Sequence, residues 1–169
     1  EKGPMVKIRR LENKLGIHGS PTCEIFFDNS PAKLIGERQR GLITYVMSLM
    51  NGARVGIAAQ SLGIGECAYR VARDYAHSRK QFDTAIENFP AVQELLVKSS
   101  VDLQAARTLT YCGSFSVDLE NGALRKLEFG NVEDAAEKKA LKQEARKHGR
   151  ANKLLTPMSK YYASEMSMR

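Results

Sequence analysis

No apolar run in the sequence approaches the roughly 20 residues that a membrane-spanning helix requires, which excludes a helical membrane span. The opening Glu1-Lys2-Gly3-Pro4 contains neither an initiator methionine nor the apolar core of a secretory signal, and it reads as the interior of a longer chain. Cysteine is scarce. Cys23, Cys67 and Cys112 are odd in number, widely separated and without a C-x-x-C pair, and His18, His77 and His148 are equally scattered. Zinc needs clustered ligands, so no zinc site is implied. Reduced, buried thiols in a cytosolic (bacterial) or organelle-matrix protein are the reading that remains.

What is present is a globular composition. The chain has 169 residues, 43% hydrophobic and 27% charged, which suits a domain of ordinary size rather than a disordered segment. The net charge of +7 and pI near 9.4 suit nucleic acid, an anionic membrane or a phosphorylated ligand. The charge is not in one block, however. Between Arg125 and Lys153 the bases are interleaved with Glu128, Glu133, Asp134, Glu137 and Glu144, a mixture that reads as a solvated helix face. Polyanion binding stands as the alternative.

The hydrophobic period changes along the chain. Val6-Lys7-Ile8 and Cys23-Glu24-Ile25-Phe26-Phe27 are strand-like, separated by turn residues and closed by Asp28-Asn29-Ser30-Pro31. After Gly41 the period becomes helical: Val46, Leu49, Met50, Ala53, Ile57, Ile64, Cys67, Val71 and Tyr75 predict one helix of about 35 residues. Pro90 opens a second helical stripe that runs through Leu103, Ala106, Thr110, Gly113 and Val117 and is expected to end at Asn121-Gly122. A third helical zone begins near Val132. Gly149 is expected to weaken it, and Pro157 to kink or restart it. Three antiparallel helices with broad apolar faces imply a bundle.

The most specific segment lies between the first two helices: Tyr75-Ala76-His77-Ser78-Arg79-Lys80-Gln81-Phe82, then Ile86 and Phe89-Pro90-Ala91-Val92-Gln93. It sets an arginine at a helix C-terminus, with an amide and an aromatic within three residues. Such a guanidinium can fork onto phosphate oxygens, or merely complement the helix dipole. Together with other motifs in order, the segment resembles the acyl-CoA dehydrogenase family. Asn13 to Glu24 is similar to the family's strand pair with K-x-G and S-x-T. Leu34-Ile35-Gly36-Glu37 with Gly41-Leu42 resembles the opening of its C-terminal domain. Met50-Asn51-Gly52-Ala53-Arg54-Val55-Gly56 looks like its long first helix, and Leu154 to Glu165 like the stretch before its glycine-rich motif. Residues from about 120 to 150 stand outside the match. The Phe27–Ser30 turn and M-N-x-A-R are most similar to the 3-methylmercaptopropionyl-CoA dehydrogenase type. Asp83 departs from the pattern, standing where glycine is usual, and so does Pro90, where glutamine is common.

The resemblance implies a mainly α fold. Residues 1–36 would be the last strands of a middle β-domain, and residues 37–169 a truncated helical bundle without its last helix and with apolar surface exposed. It implies an FAD-dependent α,β-desaturation of an acyl-CoA thioester, in which a carboxylate removes the α proton while the β hydrogen leaves as hydride to the flavin. Arg79, Gln81, Phe82, Ile86 and Phe89 match FAD-contacting positions, typically on a neighbouring subunit. Asn51 and Arg54 match positions beside the acyl-CoA, although a salt bridge would equally explain Arg54 on an apolar stripe. Ala53 occupies the alternative position of the catalytic glutamate. The usual base lies beyond Arg169, so none is expected in this chain. A homo-oligomer (dimer or tetramer) and an electron-transfer flavoprotein as electron acceptor follow from the same resemblance. The alternatives are an acyl-CoA oxidase or related flavoprotein and, from another class, a basic helical module for nucleic acid or a partner helix.

Overall fold

The computed structural model describes residues 5–168, with the side chains of residues 43 and 48 left aside. Two compact units meet in sequence between Gly41 and Leu42.

In the first unit β1 (Val6–Leu11) pairs antiparallel with β2 (Cys23–Phe27), with Val6 opposite Phe27 and Leu11 opposite Cys23. The register shifts between Ile8 and Arg10, which leaves Arg9 as the extra residue of a bulge. The Arg9 guanidinium lies 3.9 Å from the centre of the Phe26 ring, a cation–π contact. Beyond β2, Asp28 N–H and Ser30 Oγ both donate to the Met5 carbonyl at 2.8 and 2.6 Å, closing the hairpin's open end. In the connecting loop the Lys14 ammonium donates to the carbonyls of Ile17 and Ser20.

The second unit is a three-helix bundle. A π-helical turn, Gly41–Val46, leads into α1 (Met47–Ser78); α2 (Pro90–Phe129) and α3 (Ala135–Met166) follow. Pro90 stands in the first turn of α2, where its missing N–H costs no helix bond. The helix does not stop at Asn121-Gly122 as the sequence suggested. It runs on to Phe129, because Ser116 and Ala123 on either side are buried and tertiary packing outweighs the glycine's weak propensity. Asn131 (φ 45°) turns the chain in a conformation that asparagine tolerates. The third helix starts later than expected: Asp134 is its N-cap, its carboxylate accepting from Ala136 and Glu137 N–H, both at 3.1 Å. Neither Gly149 nor Pro157 ends α3. Asn152, Thr156, Ser159 and Ala163 are buried on both sides of the proline, and that continuous seam holds the helix through it.

The core is built from small side chains. Ala58, Leu62, Leu103, Ala106 and Ala163 form its centre, with Tyr69, Tyr162 and Met166 packed around them. Gly113 of α2 lies so near α3 that a Cβ there would stand 3.0 Å from Ser159 Oγ. Hydroxyls and amides line the same seam. Ser159 donates to the Leu109 carbonyl (3.1 Å), and Asn152 Nδ2 to the Ser116 carbonyl (3.3 Å) and Glu120 Oε2 (2.6 Å). On the other flank Glu66 of α1 accepts from Arg107 of α2 at 2.5 Å and from Arg70 at 2.9 Å. The outer face of α2 keeps Val101, Tyr111 and Phe115 exposed. The thiols differ from expectation, since Cys67 and Cys112 sit on outward helix faces and are exposed.

Candidate cofactor and substrate site

The turn between α1 and α2 is a miniature hairpin. Arg79 ends α1 with extended backbone (φ −75°, ψ 126°), its N–H bonded to the Tyr75 carbonyl at 2.8 Å. β3 (Lys80–Gln81) then pairs with β4 (Thr84–Ala85), and Ile86 N–H closes the loop on the Arg79 carbonyl at 2.9 Å. The two-residue tip, Phe82-Asp83, has positive φ at both positions (48° and 62°), as the tightest hairpin turns demand. Glycine and asparagine usually fill such a turn. Phenylalanine there is strained by about 1 kcal/mol or more, and the residue is 89% exposed. A second tie brackets the loop: His77 Nδ1 and Glu87 Oε1 lie 2.7 Å apart.

The five residues matched to the cofactor divide into two groups. Arg79, Gln81 and Phe82 are exposed on the hairpin, and the Arg79 guanidinium has no ion-pair partner among the described residues. Ile86 and Phe89 are half-buried behind it. Phe89 meets the Phe82 ring edge-on at 6.4 Å, while Ile86 faces an apolar cavity of about 440 Å³ lined by Tyr69, Tyr75, Leu95 and Met166.

The substrate-side pair lies at the other end of α1. Arg54 Nη1 donates to Asn51 Oδ1 at 3.0 Å, both half-buried, so the arginine on the apolar stripe has a neutral hydrogen-bond partner. Both residues line a cavity of about 610 Å³ with Glu120 and Asn121 of α2 and Asn152 and Lys153 of α3. Ala53, next to them in sequence, is exposed. Glu120 and Asn152 were missed from the sequence. Asn152 recurs with Ala145, Gly149, Thr156 and Ser159 every three or four residues, and that spacing on a polar residue was the available signal. Among the described residues no three His, Cys, Asp or Glu side chains converge as a metal site, and no helix is long and apolar enough to cross a membrane.

Residues 40–126, which contain α1, the hairpin and nearly all of α2, match the model of the acyl-CoA dehydrogenase C-terminal domain. This chain belongs to the acyl-CoA dehydrogenase family. Among curated relatives it is 37% identical over 116 residues to a 3-(aryl)acrylate reductase of Clostridium sporogenes, covering 67% of this chain and 30% of the relative. To a probable short/branched chain specific acyl-CoA dehydrogenase of Dictyostelium discoideum it is 39% identical over 111 residues, covering 64% of this chain and 27% of the relative. The chain thus spans less than a third of the length of either. Among solved structures, a glutaryl-coenzyme A dehydrogenase in complex with glutaryl-CoA superposes with a TM-score of 0.60 at 26% identity, over 95% of this chain and 42% of that one. The mainly α bundle preceded by a short strand pair is the family's arrangement. The hairpin and the Asn51–Arg54 pair both fall inside the matched segment.

Proposed function

We propose that the chain is the C-terminal helical part, with the last strands of the middle β-domain, of an FAD-dependent enzyme that oxidises an acyl-CoA thioester between its α and β carbons. The observation that carries this reading is the hairpin after α1. A guanidinium without an ion-pair partner among the described residues, an amide and a strained, exposed phenylalanine are displayed together on a loop tied at both ends. That set of groups fits FAD. Arg79 would fork onto pyrophosphate oxygens, Gln81 offers both a donor and an acceptor, and Phe82 presents a face for stacking. The groups point outward, which suits a cofactor shared with a second copy of the chain in a homo-oligomer. Bound FAD supplies the hydride acceptor. Asn51 and Arg54 would orient the thioester end of the substrate. Ala53 has no group able to accept a proton, so the abstracting carboxylate does not stand at that position. An electron-transferring flavoprotein as the electron acceptor belongs to the same proposal.

The test is flavin retention by the intact protein. Wild type should purify yellow, and Arg79→Gln and Phe82→Ala should lose flavin absorbance while keeping the helical circular dichroism. A colourless wild type that FAD cannot reconstitute would refute the reading. The relative named 3-(aryl)acrylate reductase favours a second reading, in which the same carbon–carbon bond is reduced rather than oxidised. Assay in both directions separates the two.

A further inference from the structure

The cations of α3 do not mix with its acids as their sequence order suggested. Lys139, Lys142, Arg146, Arg150 and Lys153 recur every three or four residues, the spacing of one helix face. All five are exposed, and none has an ion-pair partner among the described residues. Glu137 and Glu144 lie on another face. Glu137 pairs with Lys126 of α2 at 2.7 Å, and Glu144 adds to the attraction that holds that lysine's pKa up. The cationic stripe therefore runs for about 21 Å of helix, at 1.5 Å per residue, without an ion pair among the described residues.

The stripe also leads somewhere. Arg146, Arg150 and Lys153 line a groove of about 450 Å³ between α2 and α3. This groove shares Glu120, Leu124 and Lys153 with the cavity that holds Asn51 and Arg54. Glu120, the acid common to both, has its carboxylate bonded to Asn152 Nδ2 and lies against Gly149. We propose that the stripe binds the phosphates of the substrate's coenzyme A portion, with the pantetheine arm running along the groove towards Asn51 and Arg54. Coenzyme A carries a pyrophosphate and a 3′-phosphate, and guanidinium groups one helical turn apart can fork onto both. This inference rests on the acyl-CoA reading and adds to it the residues that select the coenzyme.

Calorimetric titration of the intact protein with coenzyme A, 3′-dephospho-coenzyme A and pantetheine tests it. Arg146→Gln/Arg150→Gln should weaken coenzyme A by about tenfold or more, weaken the dephospho form less, and leave pantetheine unchanged. Lys147→Gln, off the stripe on the same helix, should change none of them, and circular dichroism melts should confirm equal folding. Coenzyme A affinity that is the same in the double variant overturns this inference alone. So does loss of duplex-oligonucleotide binding with coenzyme A unaffected, which would make the stripe a polyanion surface. A wild type that binds neither coenzyme A nor an acyl-CoA overturns the functional reading as well.

Discussion

Replacing Gly149 by alanine separates helix propensity from tertiary packing. Gly149 lies inside α3, where alanine is intrinsically better by about 1 kcal/mol. An added Cβ, however, would stand 2.5 Å from Glu120 Oε1 and 3.2 Å from its Cδ, so the carboxylate must move. That movement breaks its 2.6 Å bond from Asn152 Nδ2, whose residue is only 3% exposed. Hydrogen bonds to a charged group contribute about 1.5–3 kcal/mol. The net expectation is a loss of about 0.5–2 kcal/mol. Gly122→Ala is the control, because nothing lies within 4 Å of a Cβ there. It should gain the propensity term alone, about 1 kcal/mol, or roughly 2–4 °C in Tm. Urea and thermal melts followed by circular dichroism measure both. In a Glu120→Ala background, Gly149→Ala should become stabilising, like Gly122→Ala. If Gly149→Ala stabilises the wild type, or if its penalty survives removal of Glu120, the packing argument is wrong.

Three further outcomes are expected. The hydrogen bond from Arg70, reinforced by the charges of Arg107 and Arg70, holds the Glu66 carboxyl below its ordinary value of 4.5. A depressed carboxylate stabilises the fold above its unfolded pKa, and that contribution fades as the pH falls through the folded value; Glu66→Gln should therefore flatten the acid limb of a stability–pH curve below about pH 4.5 and leave the change above it constant. Asp83→Gly, which relieves a positive φ of 62°, should raise stability by up to about 1 kcal/mol in a thermal melt, and an unchanged or lower Tm would show the tip to be unstrained. Asp134→Ala removes two capping bonds at the start of α3 and should cost about 1 kcal/mol in urea unfolding, with Asp134→Asn recovering most of it.

Much of the fold could be read from the sequence because its signals are periodic and local. The first strand pair, the long α1 and the Pro90 start of α2 each carry such a signal. The ends were harder. Asn121-Gly122 and Pro157 are strong local punctuation, yet both are overruled by burial on either side, which no window of sequence contains. The Asp134 cap was legible in D-A-A-E but was passed over for the nearer apolar Val132. At the candidate site the hairpin residues were found through their motif. The division into exposed Arg79, Gln81 and Phe82 and half-buried Ile86 and Phe89 needed the two-residue turn to be seen. Glu120 and Asn152 are 32 positions apart and become neighbours only when α3 folds back on α2. The charge order of α3 misled for a related reason: residues alternating along the chain are sorted by the helix onto separate faces.

The seam between α2 and α3 has a consequence for folding fidelity. Its small residues repeat at near-heptad intervals, so sliding one helix past the other by seven positions would again set small against small with little loss of contact. Apolar packing alone would leave the two alignments close in energy. The Ser159 hydroxyl on the Leu109 carbonyl and the Asn152 amide on Ser116 and Glu120 have no equivalents in the slipped arrangement. Those few polar teeth index the helices, and stripping them to apolar residues of similar size would yield a bundle that stays helical but loses its single alignment.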